Sequence, residues 1–323
     1  MDKTNKDILT LIFNLLERKD ILNLTSINRR MYSFRNLFFE RFVIRLKNDY
    51  PDEFIKKCIK CSNVTYIILG TLNKNVKEIS FDDTFNQLVD DLPQNLTSLT
   101  FGDDFNKIVD KLPQNLQSVT FGNDFNQTVD KLPQNLQSVT FGGCFNQLVN
   151  KLPQKITSLI FTGNFNQPVD NLPQNLINVK FNWLFNQSVD KLPHNLENIV
   201  FDCYFDKPVD KLPQNLKSMI FGMCFDRQVD KLPQNLKSVI FGTCFDRQVD
   251  NLPQNLQSVT FGSCFNHSVN NLPPNLTSVV FGKEFNQSVD NLPQSLTKIR
   301  LCANYNQSLD KLPKNVIIER YKC

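Results

Sequence analysis

The sequence predicts an α+β protein, with a small helical domain at the N-terminus followed by a β-solenoid that carries a parallel sheet. Two observations predict this class. A 20-residue unit recurs without a gap from Phe81 to about Arg320, giving 12 copies. The first 45 residues lack the unit and instead place apolar residues at three- and four-residue steps. A fixed period of this length is typical of solenoids, and the shorter spacing is typical of helices.

The N-terminal part, residues 1–45, is predicted to form a small helical domain. Two apolar groups recur here at helical spacing. The first is Ile8, Leu9, Ile12, Leu15 and Leu16, and the second is Ile21, Leu22 and Leu24. Residues 46–80 are predicted to be a connector with a short helix over 53–60 and a half-repeat that caps the solenoid. Residues 81–320 hold the 12 repeats, the last of which is predicted to be a C-terminal cap.

Each repeat offers six apolar positions to a shared interior. We number the positions as columns, with Phe81 at column 1 of the first copy. Columns 1, 5, 9, 12, 16 and 19 are apolar, and column 13 is Pro in all 12 copies. The alternating stretch over columns 18–20 and column 1 predicts the strand. Gly stands at column 2 in seven copies and is expected to end the strand without steric cost.

Two columns are candidates for a polar ladder between turns. Column 6 is Asn in nine copies and Asp in three, and its side chains are expected to bond backbone groups of adjacent turns. Column 4 holds Cys144, Cys224, Cys244 and Cys264 beside Thr and Asn in other copies, which is a second possible ladder. The sequence leaves open which of the two columns forms it.

The repeat resembles two known patterns. Leu-Pro-x-x-Leu-x-x-Val-x-Phe is similar to the 20-residue class of leucine-rich repeats. More specifically, Phe-Asn-Gln-x-Val with Leu-Pro-x-Asn-Leu-x-Ser-Val-x-Phe-Gly resembles the FNIP repeat across about 240 residues, and its fullest copy is 165–168. The N-terminal segments Asp7-Ile8 and Asp20-Ile21-Leu22-Asn23-Leu24 resemble the F-box, with a departure at Thr4-Asn5, where that family has Leu-Pro. Proteins with both parts occur in social amoebae and giant viruses.

The F-box resemblance implies a partner. It implies that the helical head docks on the Skp adaptor of a cullin-type ubiquitin ligase through the eight apolar residues given above, Ile8 to Leu24. The chain would then be a non-catalytic adaptor whose solenoid binds a protein target. The alternative is a protein-binding scaffold in which the head only caps the solenoid and has no ubiquitin role. The sequence does not name the target.

One stretch of the predicted outer sheet surface differs from the rest. The outward columns 18, 20 and 2 hold mostly Ser, Thr and Gly, but this pattern breaks between Ile160 and Tyr204. Exposed aromatic and aliphatic residues are typical of interface hot spots. The residues predicted to bind the target are Ile160, Thr162, Lys180, Asn182, Trp183, Val200, Asp202 and Tyr204. The alternative is drift of the repeat, in which Trp183 fills the gap that a lost Gly leaves.

Composition and motifs argue against other functions. The net charge is +4, and the Asp-Lys pairs of the repeats predict a solvated face, so no nucleic-acid partner is expected. No segment approaches the roughly 18 apolar residues of a membrane span. Nine cysteines without paired spacing favour a reducing compartment, and the predicted location is cytoplasmic. Cys58 and Cys61 lack a second pair, and no phosphate loop or nucleophile motif appears, so we expect no metal, no cofactor and no enzyme activity.

Overall fold

The structure is a computed structural model that describes residues 44–45, 60–64 and 77–322. These residues form one parallel sheet of 15 strands whose spatial order is their order in the chain. The strands are β1 Ile44–Arg45, β2 Lys60–Val64, β3 Glu78–Phe81, β4 Ser98–Thr100, β5 Ser118–Thr120, β6 Ser138–Phe141, β7 Ser158–Phe161, β8 Asn178–Phe181, β9 Asn198–Phe201, β10 Ser218–Ile220, β11 Ser238–Ile240, β12 Ser258–Thr260, β13 Ser278–Val280, β14 Lys298–Cys302 and β15 Ile317–Tyr321.

The predicted α+β class is wrong, because the described residues contain strands and turns and no helix. The fold is a parallel β-solenoid of about 12 turns from β3 to β15. Ile44 was predicted at the end of the helical domain, yet it pairs with Cys61 in the sheet. Short apolar runs such as this one fit a helix or a strand equally well, so periodicity could not decide. The eight residues predicted to contact the Skp adaptor lie outside the described residues.

The sheet also begins before the 20-residue unit. Lys60 pairs with Glu78, so the turn before β3 is shorter than the later ones. Lys60 was predicted to end a short helix, but β2 starts there. From β3 to β14 the register is constant, as in the pairing of Ser118 with Ser138. The strand position predicted from the repeat is therefore confirmed.

Two stacked columns of aromatic rings fill the interior. Within a turn, the column 1 and column 5 rings lie 3.8–4.0 Å apart between centroids, as in Phe121 and Phe125. Between turns, the column 1 rings are separated by 5.3–5.9 Å and the column 5 phenylalanines by 6.0–6.2 Å. All these rings are buried. Each turn thus closes the apolar face of the turn before it, which a single repeat could not do alone.

Glycine at column 2 has a different cause from the expected one. A Cβ at Gly242 would overlap the carbonyl oxygen of Gly222, and the same overlap recurs along the column. The residue is needed because successive backbones approach each other closely there, and not because the strand must end. By contrast, a Cβ at Gly143, one column later, would meet only the Asn123 side chain, at 3.1 Å.

Column 6 forms the ladder. The Oδ1 atom of each residue accepts a hydrogen bond from the backbone N–H of column 6 in the next turn, for example Asn126 to Asn106 at 3.1 Å and Asn166 to Asn146 at 2.9 Å. The series continues without a break to Asn306. These side chains are half-buried or exposed, so the ladder runs along an edge of the solenoid and not through its core.

The last turn is one residue shorter than the others. Ile318 pairs with Ile299 and Glu319 pairs with Arg300, so Ile318 takes column 19 and not Glu319. The hydroxyl of Tyr321 donates to the carbonyl oxygen of Phe281 at 2.8 Å. The apparent departure of Glu319 from the repeat is therefore a shift of register in the final strand.

Candidate protein-binding surface

The structure brings the eight residues predicted to bind a target together on three adjacent turns. Ile160, Lys180 and Val200 are register partners at column 20 of β7, β8 and β9. Lys180 is exposed, and the two aliphatic residues are half-buried. Thr162, Asn182 and Asp202 follow at column 2, and Trp183 and Tyr204 lie at columns 3 and 4.

The backbone of these turns differs because column 2 holds no glycine. In glycine turns, the N–H of the column 1 Phe donates to the next turn, as in Phe121 to Thr140 at 2.9 Å. At Thr162 the column 2 N–H also donates, back to Phe141 at 3.0 Å, and at Asp202 it donates to Phe181 at 3.1 Å. The strand therefore runs one step further and leaves room for a side chain.

The side chain of Asn182 lies in this space, and only one of its two polar atoms forms a hydrogen bond. Its Nδ2 donates to the carbonyl oxygen of Thr162 at 2.7 Å. Its Oδ1 is buried and has no hydrogen-bond partner among the described residues. Burying an unsatisfied amide oxygen is costly, and this cost is tolerated at few positions in a folded protein. The patch thus contains a polar group that a stacked repeat alone does not satisfy.

Four large apolar side chains project from three consecutive turns, residues 181–240, and we call them the apolar cluster: Trp183, Leu184, Tyr204 and Met223. Their exposed fractions are 58%, 41%, 52% and 51%. Tyr204 donates its backbone N–H to the carbonyl oxygen of Trp183 at 3.0 Å, so these two residues lie on adjacent turns, offset by one column. Because Trp183 is more than half exposed, it does not fill the gap left by a lost glycine.

Leu184 and Met223 were missed in the sequence. Column 3 holds small or polar residues in most copies, such as Asp103 and Ser263, so Met223 stands out once the columns are compared. Leu184 interrupts a column of Cys, Asn and acidic residues in the same way. The prediction included the aromatic residues of columns 3 and 4, Trp183 and Tyr204, but not these two aliphatic ones.

A second surface feature is a groove along columns 15 and 17, which we call the amide groove. Two cavities of about 640 and 570 Å³ share Glu197 and Asn215 and so form one continuous depression. It runs from Gln137 to Thr277. None of the predicted target-binding residues lines it. The sequence did not predict this groove.

Charged residues along one edge are matched between turns. Lys111 pairs with Asp90 at 2.7 Å, and Lys131 pairs with Asp110 at 2.7 Å, so each lysine pairs with the preceding turn and not with its neighbour in sequence. The raised pKa of Lys111 has the same cause, the hydrogen bond from its ammonium group to the Asp90 carboxylate.

The ladder at column 6 shows a second matched series. Eight Asn residues of column 6 have a following turn, and in six cases that turn carries Gln at column 7; the exceptions are Lys107 and Lys207. Gln127, for example, donates to Asn106 Oδ1 at 2.9 Å. Where column 6 is Asp, the next turn carries Arg or His. Arg247 donates from Nε and Nη2 to the two carboxylate oxygens of Asp226 at 3.0 and 2.6 Å. Asp206 with Arg227 and Asp246 with His267 repeat the pairing.

Reverting both members of one pair to the common residues should cost less than changing either alone. We expect Asp226→Asn or Arg247→Gln to lower the free energy of unfolding by about 1 kcal/mol or less, because the pair is partly exposed. The double variant rebuilds the amide pair seen at Gln127 and should recover most of this loss. Urea unfolding of the four proteins measures the coupling. Strictly additive losses would contradict the match.

Five described cysteines are free: Cys144, Cys203, Cys224, Cys244 and Cys264. Burial raises the pKa of the Cys203 and Cys264 thiols, which favours the protonated form. Cys302 is disulfide-bonded, so the expectation of fully reduced cysteines is not met there. In the described part of the chain, no cluster of three or more His, Cys, Asp or Glu side chains could hold a metal ion. Within the same part, no helix has the length and apolar character to cross a membrane.

Comparison with known structures agrees with the solenoid. CroV588, a circular LRR protein, is 31% identical, with a TM-score of 0.73 over 86% of this chain, and the chain spans 48% of that protein's length. YopM from Yersinia enterocolitica is 18% identical, with a TM-score of 0.55, over 87% of this chain and 72% of YopM. InlJ from Listeria monocytogenes, which includes a cysteine ladder, is 10% identical, with a TM-score of 0.56, over 83% of this chain and 67% of that domain. The last two likenesses show the fold alone. No curated protein matches.

The family model of the FNIP repeat matches six segments that together cover more than half of the chain. They are residues 88–124, 107–144, 185–224, 205–244, 225–264 and 265–303. The FNIP resemblance noted in the repeats is therefore confirmed, while no match covers the F-box-like segment. This chain belongs to the FNIP repeat family.

Proposed function

We propose that this chain is a protein-binding scaffold and that the apolar cluster, with the predicted residues beside it, is its contact surface. The observation that carries the proposal is the exposure of four large apolar side chains on three consecutive turns, residues 181–240. Trp and Tyr dominate interface hot spots, and Met is enriched at interfaces. A regular solenoid holds these side chains in fixed register, so a partner gains contacts without ordering a loop.

The surrounding residues suit a partner surface of mixed character. Lys180 and Asp202 carry opposite charges at the border of the cluster, and Thr162 is exposed. A polar border around an apolar centre is the usual anatomy of a protein interface. Solenoids of stacked repeats commonly use such extended faces for binding.

The ubiquitin-ligase role has weaker support. It rests on the resemblance of the N-terminal segment to the F-box, and the eight residues assigned to Skp-adaptor contact lie outside the described residues. The adaptor role therefore stays a prediction from the sequence. The cytoplasmic location and the absence of enzyme activity also stay predictions, and the scaffold interpretation does not depend on any of them.

Site-specific crosslinking tests the proposal. A photo-crosslinking benzoylphenylalanine at position 183 should give a discrete protein adduct in extract, while the same group at position 148 should not. Leu148 is a matched control because its side chain is 52% exposed and lies on a different edge, at column 8.

Affinity measurements with the captured protein complete the test. Trp183→Ala should weaken binding by about 2 kcal/mol, as expected of a hot spot, and Leu148→Ala should leave it unchanged. Titration calorimetry with the purified partner would give both values. Equal crosslinking from the two positions, or an affinity that does not respond to Trp183→Ala, would exclude the cluster as the contact surface.

A further inference from the structure

The amide groove carries a second inference, separate from the apolar cluster. Its first wall is the column of asparagines at column 15. The Nδ2 of Asn215 donates to the carbonyl oxygen of His194 at 2.9 Å, and Asn235 and Asn255 repeat this bond to Gln214 and Gln234 at 2.9 Å. Each amide is thereby fixed in orientation. Its remaining N–H and its carbonyl oxygen line the groove at a spacing of about 4.8 Å per turn.

A kink in the backbone sets the second wall. The carbonyl oxygen of Gln117 accepts the N–H of both Gln137, at 2.8 Å, and Ser138, at 3.1 Å. The same shared acceptor recurs in the following turns, as at Lys217, whose carbonyl oxygen bonds Lys237 and Ser238. Because of this kink, the column 17 side chain turns away from the strand face and towards column 15. Column 17 therefore becomes a wall of the groove.

The charges of the groove are unbalanced. Its ionised side chains are Lys155, Glu197, Lys217 and Lys237, which give a net charge of +2. The only carboxylate among them, that of Glu197, is held by Lys217 at 2.6 Å. Lys155 donates to Asn135 Oδ1 at 2.7 Å. Lys237 is exposed and forms no ion pair with any described residue.

The groove also contains an apolar position. Ile177 lies at column 17 in the same depression, with 37% of its surface exposed. Three turns separate it from Lys237, a distance of about 14 Å at the usual strand spacing. An extended peptide covers that distance with about four residues. The groove therefore offers one cation and one apolar contact that an extended peptide can reach with side chains about four residues apart.

We propose that the amide groove binds an extended acidic peptide segment of a partner protein. A carboxylate of the segment pairs with Lys237, and an apolar side chain about four residues away contacts Ile177. The fixed amides of column 15 donate to and accept from the peptide backbone. Charge complementarity favours this occupant, because the groove offers an unpaired ammonium group and no free carboxylate.

Fluorescence anisotropy with synthetic probes tests this. The probes are two labelled Gly/Ser decapeptides that carry one Leu and one Glu-Glu pair four positions apart, in the two possible orders. A third peptide has Lys in place of Glu, and a labelled deca-thymidylate reports general binding of polyanions. The full chain is used throughout, with circular dichroism to confirm that each variant is folded.

We expect one Glu peptide to bind and the Lys peptide not to bind. Lys237→Glu should weaken the binding by about tenfold or more, since it replaces an attractive charge with a repulsive one. Ile177→Ser should weaken it less. Lys231→Glu is the matched control, because Lys231 is exposed in the same turn but lies outside the groove, and it should have little effect.

Three results would overturn the inference: no binding of either Glu peptide, equal losses from Lys237→Glu and Lys231→Glu, or binding of deca-thymidylate as tightly as the better peptide. The last result would indicate a general polyanion surface. Failure here leaves the crosslinking at position 183 unaffected, since Trp183 does not line the groove.

Discussion

Phe185→Ala is expected to lower the free energy of unfolding by about 3 to 5 kcal/mol, the usual cost of removing a buried aromatic ring. Phe185 is 1% exposed. Its ring stacks on Phe181 at 3.9 Å and lies 6.1 Å from Phe165 and 6.0 Å from Phe205. The cavity would interrupt the column 5 stack and remove the ring on which Phe181 packs, in the middle of the solenoid, where neighbouring turns cannot close it without breaking their backbone register.

Urea unfolding followed by circular dichroism gives the size of this loss. Trp183→Ala, two residues away, serves as the control: it removes a larger ring from a side chain that is 58% exposed, and its effect should be within about 0.5 kcal/mol. Because repeats interact with their nearest neighbours, unfolding could also divide into two transitions at this turn. Similar losses from the two variants would mean that the aromatic columns do not carry the stability.

Gly242→Ala is expected to destabilise the fold by about 3 kcal/mol, at the upper end of the cost of overpacking. The new methyl group would overlap the backbone of Gly222, which cannot turn away as a side chain could. The adjacent turns, with Gly222 and Gly262 at the same column, hold the close backbone approach on both sides.

Gly143→Ala is the matched control for this effect. A Cβ there meets only the end of the Asn123 side chain, so the change should be nearly neutral. Thermal unfolding of the two variants beside the parent protein would separate them. If Gly242→Ala were as stable as the parent, the turns would be able to adopt the extended pairing seen at Thr162, and the steric account of column 2 would be wrong.

The sequence predicted the regular part of this molecule well, because each apolar column meets the same column of the next turn. The buried Phe, Val and Leu columns and the strand register follow from the period alone, as Phe125, Val129 and Leu132 illustrate. The residue types left two columns, 4 and 6, as candidates for the ladder, and only the structure shows that column 6 forms it. The pairing of Lys111 with Asp90 was not predicted, since adjacency in sequence favoured Asp110 over a residue one turn away.

The parts of the structure that depart from the 20-residue repeat could not be predicted from it. β1 and β2 lie where the repeat is absent, so the short run at Ile44 gave no register. The register shift at Ile318 arises because the last turn is one residue shorter. The last copy departs from the repeat at several columns, so the sequence does not show where that residue is missing. The amide groove depends on a shared carbonyl acceptor at column 17, a backbone feature without a residue type of its own. The predicted patch around Trp183 was found because it breaks a residue pattern.

The matched pairs of columns 6 and 7 limit how this array can grow or shrink. The copy that carries Asp226 is followed by a copy that supplies a cation, Arg247. Moving such a copy into the Asn-Gln region would leave a carboxylate facing an amide and an arginine without its anion. Recombination between near-identical copies is therefore not neutral everywhere. The three Asp-bearing turns form a block whose copies match one another, and because each mismatch costs only about 1 kcal/mol or less, the pairs favour one order of copies without fixing it.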